Sequence, residues 1–136
     1  MKTKKLIAFL LTAILMLSIP FSCFAKPVET NKNTEFGTLT GRLEQPVDPS
    51  DRKSVTYSTG TTKTAPTIIA SMDVKLYTTG KQISSGETAK SYNSKKTGDQ
   101  WECHSATYNK QKMSAFGCHE ARGKSSLVAY TTLINF

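Results

Sequence analysis

The chain has 136 residues, of which 38% are apolar and 21% are charged, and its formal net charge is +8. This length is typical of one ordinary domain, and the composition excludes both a fully disordered chain and a multi-span membrane protein. The sequence therefore predicts one small folded domain with a basic surface.

The first 25 residues have the pattern of a secretory signal peptide. Three lysines within the first five residues precede an apolar run over 6–19, which is shorter than the roughly 20 residues that span a bilayer as a helix. We expect cleavage after Ala25, export from the cell and no stable membrane anchor, with a lipid-modified Cys23 as the alternative. Cleavage would remove three lysines and no acid, which lowers the net charge from +8 to +5.

Residues 26–65 are typical of a flexible arm, linker or propeptide. Prolines interrupt their scattered apolar residues, and Ser and Thr dominate the end of the segment. Such a composition buries too little apolar surface to offset the loss of chain entropy. We therefore predict a flexible arm over 26–65, in which a short edge strand at 54–58 is the alternative, and a folded domain over 66–136.

From Thr67 onward, apolar and polar residues alternate with the period of a half-buried strand. One face would carry Ile68, Ala70, Met72, Val74 and Leu76, and the other Ser71, Asp73, Lys75 and Tyr77. Glycine, serine and aspartate predict turns at 79–81 and 84–86 and a break at 98–99. Further strands are predicted over 87–94, 100–108, 113–121 and 125–136. This spacing predicts an all-β fold, an antiparallel β-sandwich or small barrel.

Two cysteines follow the signal segment, and 14 residues separate them. If strands 100–108 and 113–121 form a hairpin, Cys103 and Cys118 face each other at a non-hydrogen-bonded position, where the Cα atoms are closest. An exported chain meets an oxidising compartment in which a disulfide persists. We therefore predict a Cys103–Cys118 disulfide, which stabilises the fold by on the order of 3 kcal/mol.

The same hairpin would bring both histidines and one carboxylate to one patch. Glu102 would lie opposite His119, and His104 two residues along from Glu102. Two histidines and a carboxylate can hold zinc or copper or act as acid and base. The alternative is a solvated polar face with one Glu102–His119 pair. Because the chain has no Gly-x-Ser-x-Gly elbow and no Cys-x-x-Cys pair, we expect a non-enzymatic protein without a cofactor.

The positive charge lies in the second half of the chain, which carries ten Lys and Arg against five acids after residue 59. The candidates for surface binding are Lys90, Lys95, Lys96, Lys110, Lys112, Arg122 and Lys124. Outside a cell, such a surface would attract an anionic component of the cell envelope, and salt would weaken the attraction. Ordinary solubility charge is the alternative. Few arginines and an exported chain argue against a nucleic-acid partner.

Short segments of the C-terminal half also carry a family resemblance. They are Tyr92-Asn93, His104-Ser105-Ala106-Thr107, Ala129-Tyr130 and Asn135-Phe136. In these segments the chain resembles the lactococcin family. The resemblance implies a small secreted β-sandwich bacteriocin of a Gram-positive bacterium, which binds a cell-wall precursor and inhibits the growth of related cells. The long N-terminal arm and the cysteine pair depart from that family.

These observations lead to one functional expectation and two alternatives. The leading hypothesis is a secreted protein that binds at a bacterial cell surface, with bacteriocin-like activity, and that makes contact through exposed aromatic residues such as Tyr77, Tyr92 or Tyr130. The first alternative is a secreted module that binds or inhibits a protein partner at the cell surface. The second is the metal-binding protein described above.

Overall fold

A computed structural model of the chain describes residues 27–46 and 52–136, which contain one six-stranded antiparallel sheet. Its strands are β1 (Val28–Thr34), β2 (Gly37–Glu44), β3 (Ser54–Leu76), β4 (Gln82–Glu102), β5 (Met113–Arg122) and β6 (Ser126–Ile134), and a one-turn helix, α1 (Ala106–Asn109), precedes β5. The prediction of an all-β antiparallel fold is confirmed. The predicted signal peptide, 1–25, lies outside the described residues.

The long strand β3 organises the sheet because it changes partners along its length. One edge of β3 pairs with β4 almost throughout, whereas the other edge pairs with β2 over 56–61 and with β5 over 67–76. β1 then pairs with β2, and β6 with β5. Since β6 also packs against β1 and β2, the described strands form one nearly closed, barrel-like sheet. The two separate sheets of a sandwich are not seen in this part of the chain.

The segment predicted as a flexible arm is part of this sheet. Residues 27–46 and 52–65 form β1, β2 and the first half of β3, and Leu39, Leu43 and Val55 are fully buried. The division at residue 65 is therefore wrong. The threonines of this segment do not indicate flexibility, because threonine is β-branched and favours strands when it alternates with larger apolar residues.

The alternation predicted for 67–77 is confirmed, since its apolar residues are buried and its polar residues face outward. The turn predicted at 79–81 joins β3 to β4, but β4 runs through the other two predicted breaks. Gly86 forms a bulge there, with φ of 70° and its N–H donated to Asp73 Oδ1 at 2.8 Å. The break predicted at 98–99 lies inside the paired part of the strand.

The predicted hairpin of 100–108 and 113–121 does not form. β4 ends at Glu102, which pairs with Ser54 of β3, and β5 pairs with β3 and β6. Cys103 is buried in the core, whereas Cys118 lies half-buried on the outer face of β5. Both thiols are free, and the predicted disulfide is therefore wrong because the two sulfur atoms lie on opposite sides of the sheet.

The core inside the sheet consists of two apolar clusters. The larger contains Leu43, Val55, Tyr57, Ala70, Met72, Val74, Leu76, Cys103, Met113, Ala115, Leu133 and Phe136. The smaller contains Leu39, Ala65, Ala121 and Ala129. Along β5 the fully buried His119 lies between residues of the two clusters. A polar side chain therefore separates the two apolar parts of the interior.

Candidate functional site

The three residues predicted to form a metal site do not meet. Glu102 ends β4 and accepts a hydrogen bond from Gln100 Nε2 at 3.2 Å. His104 is exposed in the loop before α1, and His119 is fully buried on β5 between β3 and β6. The described residues contain no group of three His, Cys, Asp or Glu side chains that could hold a metal ion. The predicted metal site and the Glu102–His119 pair are wrong, because both depended on the hairpin.

Both ring nitrogens of His119 have hydrogen-bond partners inside the sheet. Nδ1 lies 2.7 Å from Thr59 Oγ1, and Nε2 lies 3.0 Å from Thr131 Oγ1. Since the Thr59 hydroxyl donates to the Ile69 carbonyl at 2.9 Å, it accepts from Nδ1–H, and the Thr131 hydroxyl donates to Nε2. Burial lowers the pKa of His119 to about 4, although a hydrogen bond to the Ser58 main chain acts in the opposite direction. The ring is therefore neutral at pH 7.

Two glycines make room for the His119 ring. A Cβ atom at Gly41 of β2 would lie 2.1 Å from His119 Cδ2, and one at Gly117 of β5 would lie 2.9 Å from His119 Nε2. These distances are too short for any side chain at Gly41 without movement of the ring. His119 is thus a tightly enclosed, fully hydrogen-bonded core residue, and it offers no atom to a ligand.

The seven cations predicted to bind a surface are all exposed, but they lie on three separate parts of the fold. Lys90, Lys95 and Lys96 lie on β4, Lys110 and Lys112 between α1 and β5, and Arg122 and Lys124 at the end of β5 and the turn into β6. Among the described strands, β4 pairs with β3 alone. Lysines on such an open edge are a common protection against unwanted strand pairing.

Two of these cations are already engaged within the protein. Arg122 donates two hydrogen bonds to the Glu120 carboxylate, which offsets its charge. The Lys90 ammonium lies 5.0 Å from the centre of the Tyr92 ring, within the range of a cation–π contact. The cations therefore do not form one basic patch.

The feature that stands out is apolar and lies on the outer surface of β5 and β6 and just beyond the end of β3. Tyr77, Phe116, Tyr130 and Ile134 are 52%, 46%, 56% and 51% exposed, and we call these four residues the aromatic face. They are four of the five large apolar side chains exposed in the described ranges, the fifth being Tyr92 on β4. The expectation that Tyr77, Tyr92 and Tyr130 are exposed is confirmed.

Strand periodicity and register bring Phe116, Tyr130 and Ile134 together, and Tyr77 follows β3 two residues beyond the row of Lys75 and Ile134. β5 buries its odd-numbered residues from Met113 to Ala121 and turns its even-numbered residues outward, and β6 does the same from Ala129 onward. Phe116 lies in the same cross-strand row as Asp73 and Thr132, and Ile134 lies in the row of Lys75 and Ser114. The rings of Phe116 and Tyr130 stack with their centres 5.4 Å apart and their planes 26° apart.

Two exposed lysines accompany the aromatic face. Lys75 lies in the row of Ile134, and Lys112 accepts a main-chain hydrogen bond from Tyr77 at 2.9 Å. The salt bridges between described residues join Arg42 and Arg122 to glutamates and involve neither of these lysines. The carboxylate nearest in the register, Asp73, is half-buried and accepts the Gly86 N–H. The face thus combines apolar area with positive charge.

Cys118 lies on the same outer surface, in the row of Tyr130. Burial is the main reason that the pKa of its thiol is raised. The side chain is therefore a neutral thiol at pH 7, with little tendency to act as a nucleophile.

The sequence predicts Tyr77 and Tyr130 as contact residues but gives no such role to Phe116, Ile134 and Lys75. The period-two pattern of 67–77 placed Lys75 outward, whereas β5 and β6 carry apolar residues on both sides and so gave no signal for the other two. What the pattern lacked was the order of the strands, which makes them neighbours.

No helix in the described part of the chain is long and apolar enough to cross a membrane. Comparison with protein-family models, curated proteins and solved structures finds no match to this chain.

Proposed function

We propose that the chain is a secreted, non-enzymatic protein that binds an anionic component of a bacterial cell surface through the aromatic face. The observation that carries this proposal is that Phe116, Tyr130 and Ile134, three of the five large apolar side chains exposed in the described ranges, lie next to one another on β5 and β6. Soluble proteins rarely leave such side chains contiguous and uncovered, and where they do, the patch commonly binds a protein or a membrane.

The composition of the face fits an interface between water and a less polar layer. Tyr77 and Tyr130 present an apolar ring and a polar hydroxyl, which suits a boundary of this kind. Lys75 and Lys112 add positive charge, and each lysine close to an anionic lipid surface contributes about 1 kcal/mol. The signal-peptide pattern and the lactococcin resemblance supply the setting, a secreted protein that inhibits the growth of related Gram-positive cells.

A protein partner is the alternative, and one observation favours it. β4 is 21 residues long and has an open edge, and such an edge can accept an added strand from another chain. Lys90, Lys95 and Lys96 on this strand work against strand addition. We therefore favour the aromatic face as the contact surface.

The test is sedimentation of the protein with Gram-positive cells and with vesicles of anionic or zwitterionic lipid. We expect binding to cells and to anionic vesicles, and about a tenfold loss of affinity, about 1.4 kcal/mol, in the double variant Phe116→Thr, Tyr130→Thr. The matched control is Tyr92→Thr, which removes an exposed aromatic ring from a different part of the surface. Lys75→Gln with Lys112→Gln should weaken binding further.

Salt and target preparations separate the possible sources of negative charge. Raising the salt from 0.1 M to 1 M shortens the screening length from about 10 Å to about 3 Å, and binding should fall accordingly. Binding to cells that is lost after removal of teichoic acid identifies that polymer, whereas binding to anionic vesicles identifies lipid. An equal loss in the Tyr92→Thr control, or salt-insensitive capture of one protein, would contradict the proposal.

A further inference from the structure

A second concave surface lies on a different part of the molecule, across the outer surface of β2, β3 and β4. It is a trough of about 760 Å³, within the range of about 300–1,000 Å³ that is typical of small-molecule sites. Its lining residues are Arg42, Glu44, Thr56, Ser58, Ser91, Lys96, Thr97, Gly98, Asp99 and Gln100. We call this surface the polar trough.

The trough exists because short residues lie between long ones in the sheet register. Thr56 and Ser58 of β3 and Gly98 of β4 form the floor, since Ser58 pairs with Gly98 in the sheet. A Cβ atom at Gly98 would lie 2.7 Å from the Tyr57 carbonyl oxygen and 2.8 Å from Ser58 Cβ. Any larger residue at position 98 would therefore strain the backbone and fill the floor.

The walls are longer polar side chains that are held in place. On the β2 side, Arg42 Nη2 donates to Glu44 Oε2 at 2.9 Å, and Arg42 Nη1 lies 3.5 Å from Glu29 Oε1. On the β4 side, Gln100 donates its main-chain N–H to Asp99 Oδ1 at 2.8 Å. These contacts orient Arg42, Glu44 and Asp99, and the Gln100 side chain donates from Nε2 to Glu102 Oε1 at 3.2 Å. A ligand that enters the trough therefore meets several polar groups that are already oriented.

The lining determines which class of ligand suits the trough. Two positive and two negative side chains balance one another, so neither a phosphate nor a metal cation is attracted by net charge. None of the described residues that line the trough has an aromatic or large aliphatic side chain, which disfavours lipids and other apolar ligands. What remains is a closely spaced set of hydroxyl, amide and carboxylate groups, which matches a neutral ligand with many hydroxyl groups.

We propose that the polar trough binds a saccharide. The floor hydroxyls of Thr56 and Ser58 and the amide of Gln100 would make the hydrogen bonds to the sugar. Because no aromatic ring lies in the trough for the sugar to stack on, we expect dissociation constants in the millimolar range. This inference does not depend on the aromatic face, which lies on β5 and β6 and just beyond the end of β3.

The test is a nuclear magnetic resonance titration of the isotope-labelled protein with two neutral probes, chitotriose and maltotriose. We expect saturable shifts of the Thr56, Ser58 and Gly98 amide signals with at least one probe. Gln100→Ala should weaken that binding about fivefold, the effect of one neutral hydrogen bond. The matched control is Gln82→Ala, since Gln82 is an exposed glutamine on the same strand outside the trough, and it should bind as the unmodified chain does.

Three outcomes would overturn the proposal. They are the absence of saturable shifts with both sugars, an equal loss of affinity in Gln100→Ala and Gln82→Ala, and saturation of the same amide signals by a zwitterionic dipeptide or inorganic phosphate but not by sugars. The double variant Phe116→Thr, Tyr130→Thr should retain sugar binding. A failure of the trough and a failure of the cell-surface proposal can therefore be told apart.

Discussion

The interior around His119 and the aromatic face are opposites, since one buries a polar ring and the other exposes apolar rings. His119 is fully buried, and both of its nitrogens have partners on β3 and β6. Phe116 and Tyr130 are about half exposed, and their ring contact is with each other. A buried polar group whose hydrogen bonds are all made is explained by the fold itself. The fold does not explain exposed apolar area of this kind, which is why we propose that a partner covers it.

The comparison also separates where changes should affect stability and where they should affect binding. Around His119, four strands meet within hydrogen-bond or van der Waals distance through Gly41, Thr59, His119 and Thr131. Substitutions there should lower the free energy of unfolding. Substitutions on the aromatic face should leave that quantity nearly unchanged and reduce binding.

The largest effect is expected for His119→Leu, which replaces the ring by an apolar side chain of similar size and so removes both ring nitrogens. The Thr131 hydroxyl would lose its partner, and an unsatisfied buried group costs about 1–3 kcal/mol. With the change in shape, we expect a loss of about 3 kcal/mol in the free energy of unfolding, measured by urea denaturation. A loss no larger than that of Phe116→Thr would contradict a structural role for His119.

Gly41→Ala tests the packing around the His119 ring from β2. Its Cβ would overlap the His119 ring, and overpacking of this kind costs about 1–3 kcal/mol. The matched control is Gly60→Ala, where the nearest atom, the Lys95 carbonyl oxygen, is 3.8 Å away. That control should be neutral or stabilise the protein by less than about 1 kcal/mol. Equal urea midpoints for the two variants would show that the ring is not confined by Gly41.

Acid should destabilise the protein through His119. The folded state holds its pKa at about 4, below the usual 6.5, so the unfolded chain binds the proton more tightly. The contribution of neutral His119 to the free energy of unfolding is fully present above pH 6.5. It decreases as the pH falls towards 4, by about 2 kcal/mol between pH 7 and pH 5. The difference in unfolding free energy between the unmodified chain and His119→Gln measures it at each pH. His104→Gln, a change of the exposed histidine, should behave as the unmodified chain does.

The sequence patterns predicted those strands that are buried on one face. Regular alternation in 67–77 located the second half of β3, because it has an apolar side and a polar side, and segments between turn residues located β5 and β6. The strands of 27–46 were not predicted, and a strand at 54–58 was only the alternative to a flexible arm. Threonine and glycine occupy many of their positions, and only pairing with β3 buries Leu39 and Leu43.

The surface site could be predicted only in part, because its assembly depends on strand order. Tyr77 and Tyr130 were expected to be exposed, but the stacking of Tyr130 on Phe116 was not. Neighbouring strands in the sequence pair in most proteins, which led to the wrong β4–β5 hairpin. Here β5 pairs with β3 instead of β4, and this non-local choice both separates the cysteines and assembles the aromatic face.

The smallest effect on stability is expected on the aromatic face itself. Phe116→Thr and Tyr130→Thr keep β-branched residues in their strands and remove side chains that are already about half exposed, so each should lower the free energy of unfolding by less than about 1 kcal/mol. Part of that loss is the contact between the stacked rings, which at half-exposed positions is worth about 0.5 kcal/mol, the low end of the range for aromatic pairs. Urea denaturation of the two single variants and the double variant measures this coupling.

The same measurement decides how a loss of binding is understood. If the double variant loses cell binding while its unfolding free energy stays within about 1 kcal/mol of the unmodified chain, the exposed rings act by contact with a partner. If instead it loses as much stability as His119→Leu, these rings are needed for the fold. The contrast between a structural interior and a binding exterior would then fail, because both regions would serve stability alone.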